Sequence, residues 1–318
     1  MEVYNLTTVK DFILAGLSET PTLNIFLIVI FILIYVITVL GNTAIIIAYK
    51  HSPNLQSPMY YLLANFSFLE ICYVSDTCPK LLSNSVGNNK SISFYGCVTQ
   101  MYCGLLFAGT EFYILASMAY DRYSAICRPL LYNMIMNKVS CMQLVAGSWL
   151  IGAINAVIHT SLTFTLPFCG SNNINHYYCD IPPLLKLACV DTKVNELTLF
   201  LISGLVIIGS FILTMVSYVK IISTILKIKS VTGRKKAFST CTSHLMAVSV
   251  FYGSIFSVYF KPKSKYEIEQ DRVVSVLYTV LAPLLNPFIY SIRNNEMKCA
   301  LQKLLHINIC SQKALGCP

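Results

Sequence analysis

Seven long apolar stretches follow one another along this chain, separated by short polar segments. Within each stretch the apolar residues are continuous rather than alternating, which predicts helices and not half-buried strands. Each stretch is close to the roughly 20 residues that a helix needs to cross a bilayer. Lipid offers the backbone no hydrogen bonds, so spanning segments must satisfy their own amides. The pattern predicts helices over about 24–49, 59–82, 98–120, 140–162, 197–222, 240–260 and 273–291. The fold expected is an all-α membrane protein, a single seven-transmembrane helix bundle over 1–318.

Composition reinforces this picture. Of 318 residues, 55% are hydrophobic and only 12% charged, against about 25% charged in soluble domains. Residues 1–23 show no cleavable leader pattern, so the first span is expected to act as its own insertion signal. The formal net charge of +9 is one-sided. Lys50, Arg128, Lys138, Lys220, Lys227, Lys229, Arg234, Lys235, Lys236 and the basic tail fall after spans one, three, five and seven, opposed only by Asp121 and Glu296. On the other side, bases and acids balance, and Asp76 and Lys80 offset each other. Short basic loops lie on the cytoplasmic side. The N-terminus (1–23) is therefore expected outside, the tail (292–318) inside, and the basic face against membrane lipid rather than nucleic acid. The sequons at Asn5 and Asn89 fall on the outer side, with Asn5 the better glycosylation candidate.

Thirteen cysteines are present. Cys97, Cys169, Cys179 and Cys189 fall on the outer side, where disulfides persist, and allow three pairings. Cys299, Cys310 and Cys317 follow the last span, as plain thiols or as palmitate acceptors. Glu70 and Glu111 lie deep inside spans. Glu70 is ~18 Å from the inner end of span two and Glu111 ~16 Å from that of span three, both near mid-bilayer. Acids at one depth invite a shared proton or a bound cation such as sodium. Asn286 is a further oxygen donor, and Pro287 should kink span seven, freeing a carbonyl near Pro283. At the inner end of span three, Asp121 and Arg122 stand side by side. A pair neutralised internally in one state and released in another makes a switch, with Tyr218 and Tyr290 placed to swing toward Arg122.

The stretches "SPMYYLLANFSFLE" (57–70), "SMAYDRYSAICRPLLY" (117–132), "GRKKAFSTCTSHL" (233–245) and "PLLNPFIYSIRN" (283–294), with "GN" at 41–42, resemble the odorant receptors, rhodopsin-like G-protein-coupled receptors. "NFSFLEICY" looks like family six, subfamily C, of the tetrapod class. Glu70 departs from the family's usual Asp by one methylene. The resemblance implies disulfides Cys97–Cys179 and Cys169–Cys189, and a G-protein switch at Asp121, Arg122 and Tyr123. It implies a sodium or proton site between Glu70 and Glu111, with no other cofactor. It also implies that Arg234, Lys235 and Lys236, at and just before the start of helix six, face the G protein. The implied partners are a small odorant and a stimulatory olfactory G protein that raises cyclic AMP. A ligand pocket is then expected beneath the second outer loop. Helical spacing nominates Gly104, Leu105, Ala108, Gly109 and Phe112 on span three and Ile202 and Val206 on span five. Tyr252, Ile255, Phe256 and Tyr259 on span six and Val276 and Thr279 on span seven complete the set, with Tyr259 foremost. Such a lining suits a small, mostly apolar, volatile molecule.

Rival classes fare worse. Transporters often carry internal repeats, and seven spans show no even division. An embedded enzyme would need a catalytic constellation, but the chain holds no H-E-x-x-H or G-x-S-x-G motif, and its five histidines are scattered.

Overall fold

The computed structural model describes residues 9–15, 21–87, 90–169, 171–259, 275–292 and 295–304. Among these, long helices run over α1 (Pro21–His51), α2 (Pro58–Val86), α3 (Phe94–Cys127), α5 (Lys138–Phe164), α8 (Gly204–Lys227) and α9 (Val231–Tyr259). Short helices intervene at α4 (Tyr132–Ile135), α6 (Ile181–Leu185) and α7 (Lys193–Thr198). The chain closes with α10 (Ala282–Ile292) and α11 (Asn295–Leu304). Two of the long helices start on capping side chains: Ser93 accepts from the amide of Gly96 at α3, and Asn137 from that of Ser140 at α5.

The apolar surplus points outward. Ile25, Phe26, Leu33 and Leu40 of α1 are exposed, as are Leu205, Val219 and Leu226 of α8. Water would not tolerate such surfaces, whereas lipid is their natural solvent. Helix α3 occupies the centre and packs against α2, α5, α8 and α9. Its polar residues Thr110, Glu111, Asp121 and Ser124 are buried inside the bundle.

Several boundaries differ from those expected. Helix α9 begins at Val231 rather than near 240, so Arg234 and Lys235 lie in its first turns and not before it. Straight-chain basic residues are good helix formers and need no membrane around them. Span five is not uniform: a wider π-helical turn, Leu199–Ser203, separates α7 from α8. A second π turn, Leu277–Leu281, leads into α10.

One end of the bundle is capped by a small β-sheet. Strand β1 (Asp11–Leu14) pairs antiparallel with β2 (Ser91–Ser93) and parallel with β3 (Asn173–Ile174). Phe12 and Leu14 of β1 are buried among Ile92, Phe168, Ile174 and Leu184. Disulfide Cys97–Cys179, with Cα atoms 5.5 Å apart, ties the long loop after α5 to the start of α3. Cys169–Cys189 closes that loop on itself. At the opposite end α11 buries Met297, Cys299 and Ala300, and Tyr60 donates to Glu296 at 2.8 Å. Asn5, Asn89, Cys310 and Cys317 lie outside the described residues.

Helices α3 and α5 approach closely because glycine stands on both. A Cβ on Gly109 would sit 2.9 Å from the Cα of Gly152. One on Gly152 would sit 2.5 Å from the Leu106 carbonyl oxygen and meet the Thr110 hydroxyl. Backbone cannot yield as a side-chain tip can. Gly152→Leu should therefore push α3 and α5 apart at a cost of about 1–3 kcal/mol, read as a lower thermal midpoint and reduced surface expression; native values for both would show that the contact is not needed.

Candidate functional site

Between α3, α5, α8 and α9 lies a cavity of about 250 Å³, roofed by Tyr178–Pro182 of the disulfide-bonded loop. Gly104, Leu105, Ala108, Gly109 and Phe112 of α3 line it at helical spacing, with Val206 of α8 and Ile255 of α9. The glycines leave the space, and Phe112 stacks edge-on against Phe251, centroids 4.9 Å apart, to form the floor.

Other nominated residues do not reach the cavity. Ile202 falls in the π turn, whose extra residue rotates it away and presents Leu199 and Ser203 instead. Tyr252 lies below, donating to Ser210 at 2.9 Å, and Phe256 packs on Phe211. Val276 packs in a neighbouring cluster around Tyr177, and Thr279 bonds the Tyr177 hydroxyl at 2.9 Å. The Tyr259 side chain lies outside the described residues. The structure adds Tyr73 and Thr77 of α2, Asn155 of α5, and Asp180. Asn155 was legible as a polar residue in an apolar run; the loop residues carried no periodic signal.

The loop is itself held firmly. His176 stacks on Tyr177, Tyr178 meets both rings edge-on, and His176 meets Ser275 at 3.2 Å. Burial, first of all, raises the Tyr177 phenol above its ordinary pKa. The Asp180 carboxylate accepts from the Ile181 amide at 2.8 Å and the Tyr178 hydroxyl at 3.3 Å. Lys80 and Asp76 form no ion pair. The Lys80 ammonium donates to the Ser91 carbonyl at 2.6 Å, and no donor among the described residues reaches Asp76 Oδ2.

Below the cavity, Glu70 and Glu111 lie close together, both buried. Asn286 Nδ2 donates to Glu70 Oε1 at 2.5 Å. Glu70 Oε2 and both oxygens of Glu111 have no donor among the described residues. Three unmatched carboxyl oxygens in one buried spot suit a hard monovalent cation or a shared proton. The break at Pro287 is met from α1: the freed carbonyl of Pro283 accepts from Asn42 Nδ2 at 3.4 Å. A Cβ on Gly41 would stand only 3.0 Å from Pro287, so the kink and the small residue fit together.

At the far end, Asp121 is wholly buried and Arg122 is its ion-pair partner. Arg122 Nε donates to Asp121 Oδ2 at 2.9 Å, and the Tyr132 hydroxyl donates to Oδ1 at 2.8 Å. Burial and the carboxylate together raise the Tyr132 phenol above its ordinary pKa. Tyr123 is half-buried, with Arg128 and Lys220 each 5.8 Å from its ring centre. Neither expected tyrosine engages Arg122. Tyr218 is paired with His244 Nδ1 at 2.6 Å, while His244 Nε2 faces the Leu115 carbonyl at 3.1 Å. A carbonyl only accepts, so Nε2 carries the proton and Nδ1 accepts from Tyr218. The Tyr290 hydroxyl is buried with no partner among the described residues.

A family model described as "Olfactory receptor" matches residues 31–308. The chain belongs to the olfactory receptor family. Among its relatives, mouse (Mus musculus) olfactory receptor 5AP2 is 49% identical over 95% of this chain and 95% of its own length. Human (Homo sapiens) olfactory receptor 5I1 is 46% identical over 96% of this chain and 98% of its own. These names are of family five, so the likeness of "NFSFLEICY" to family six, subfamily C, is not upheld: nine residues weigh little against near-full-length identity. Olfactory receptors are multi-pass, G-protein-coupled receptors of the plasma membrane and not enzymes.

Proposed function

We propose that this chain is an odorant receptor that takes a small, mostly apolar, volatile molecule in the cavity beneath the disulfide-bonded loop. It answers by activating the stimulatory olfactory G protein, so raising cyclic AMP. The N-terminus is extracellular and the tail cytoplasmic, in keeping with the basic loops at the Arg122 end. The observation that carries this reading is the position of α3. The same helix lines the cavity through Gly104 to Phe112 and ends on the buried Asp121–Arg122 pair.

The pair is the idle form of a switch. Arg122 is neutralised by Asp121, and Tyr132 holds the second oxygen. Release of Arg122 would present a guanidinium to the G protein while Tyr218 and Tyr290 move toward it. Outward motion of the inner half of α9, which carries Arg234, Lys235 and Lys236, opens the cleft. Glu70, Glu111 and Asn286 would hold a sodium ion between cavity and switch, where it would neutralise the facing carboxylates. Asn5 would carry sugar on the outer side.

Two measurements test these assignments. Arg122→Ala should abolish odorant-driven cyclic AMP and lower its basal level at unchanged surface expression; native output would remove Arg122 from the switch. In purified native receptor, replacing potassium with sodium should raise the thermal midpoint, and Glu111→Gln should erase that difference. A midpoint blind to sodium in the native protein would leave the site to a proton.

A further inference from the structure

The cavity wall is not apolar throughout. Phe112, Val206, Phe251 and Ile255 form one side, whereas α5 contributes Asn155. Asn155 is only 6% exposed, and its Oδ1 has no donor among the described residues. An amide oxygen left unmatched inside a protein costs about 1–3 kcal/mol, which a bound donor would recover. Gly109 stands beside this side chain: a Cβ there would come into ordinary contact with Asn155 Nδ2, at 3.8 Å. One turn along α5 and on the same face stands His159, with Nε2 3.1 Å from the Ser203 hydroxyl. Ser203 lines the same cavity because the π turn carries it there. Amide and hydroxyl thus give this corner both donors and acceptors, in an otherwise apolar chamber.

We propose that this corner binds a ligand hydroxyl, and that the receptor's preferred ligands are alcohols with an apolar body. A hydroxyl can donate to Asn155 Oδ1 and accept from the Ser203 hydroxyl, whose oxygen is held in turn by His159. An ether only accepts and a hydrocarbon does neither, so each leaves Asn155 Oδ1 without a donor. A carboxylate would meet Asp180 across the cavity. Asp180 is already committed to Ile181 and Tyr178, which leaves it a weaker draw for an amine. His159 and Ser203 act as positioning residues beside Asn155. The inference rests on the odorant-receptor reading above.

The test uses the full-length receptor in cells that supply the olfactory G protein, with cyclic AMP as readout. The probes are linear, cyclic and aromatic alcohols, each matched with its methyl ether, amine and parent hydrocarbon. In every active set the alcohol should be the most potent member. Asn155→Leu should lower alcohol potency about tenfold while leaving the ether unchanged. Ser203→Ala, a smaller change to the fold, should move the alcohol-to-ether ratio the same way. Surface labelling normalises both; if neither variant reaches the membrane, the native receptor's ranking decides. An ether, amine or hydrocarbon equal to its alcohol, or a ratio unmoved in both variants, overturns the proposal. Silence of every set also overturns it. The receptor reading then still stands if Arg122→Ala lowers basal cyclic AMP, and falls if it does not.

Discussion

A carboxylate shut away from water must find donors or lose its charge. Asp121 is such a group, and the end of the bundle where α3 closes is organised around it. Arg122 supplies the compensating cation from the next position in α3, and Tyr132 reaches in from α4 to hold the other oxygen. The arrangement ties the loop after α3 to the central helix and keeps Arg122 facing inward. It also makes the state breakable. Anything that moved Tyr132 or drew Arg122 away would leave Asp121 short of donors.

The same rule operates higher in the bundle with a different outcome. Pro287 frees a carbonyl, and Asn42 answers it; Asn286 turns instead to Glu70. Three carboxyl oxygens of Glu70 and Glu111 remain unmatched among the described residues. Helices α2, α3 and α10 therefore meet on a polar spot inside an apolar core, between a chamber roofed by the disulfide loop and the Arg122 pair. Such a spot rearranges more readily than close-packed hydrocarbon. It offers a physical route by which a change at Phe112 could be felt at Asp121, only a few helical turns away.

Continuous apolarity made α1, α3 and α5 legible in the sequence, because lipid selects for it directly. The start of α9 was not, since its first turns are basic and lie outside any apolar run. Strands of two to four residues were hidden because each depends on a partner distant in sequence, as Phe12 does on Ile92. On α3 the regular spacing from Gly104 to Phe112 was enough to find one cavity wall. On α8 it misled: a π turn shifts the register, so Ser203 and not Ile202 faces inward. The Asp121–Arg122 pair was visible as a neighbouring acid and base. Its third member, Tyr132, lies eleven residues on and is brought back only by the turn at α4.

The central claim is that the native fold holds Arg122 idle through the Asp121 carboxylate. Asp121→Asn keeps the size of the side chain and removes the charge. At matched surface expression, basal cyclic AMP from that variant should rise several-fold over the native receptor. A basal level equal to or below the native one would contradict the account.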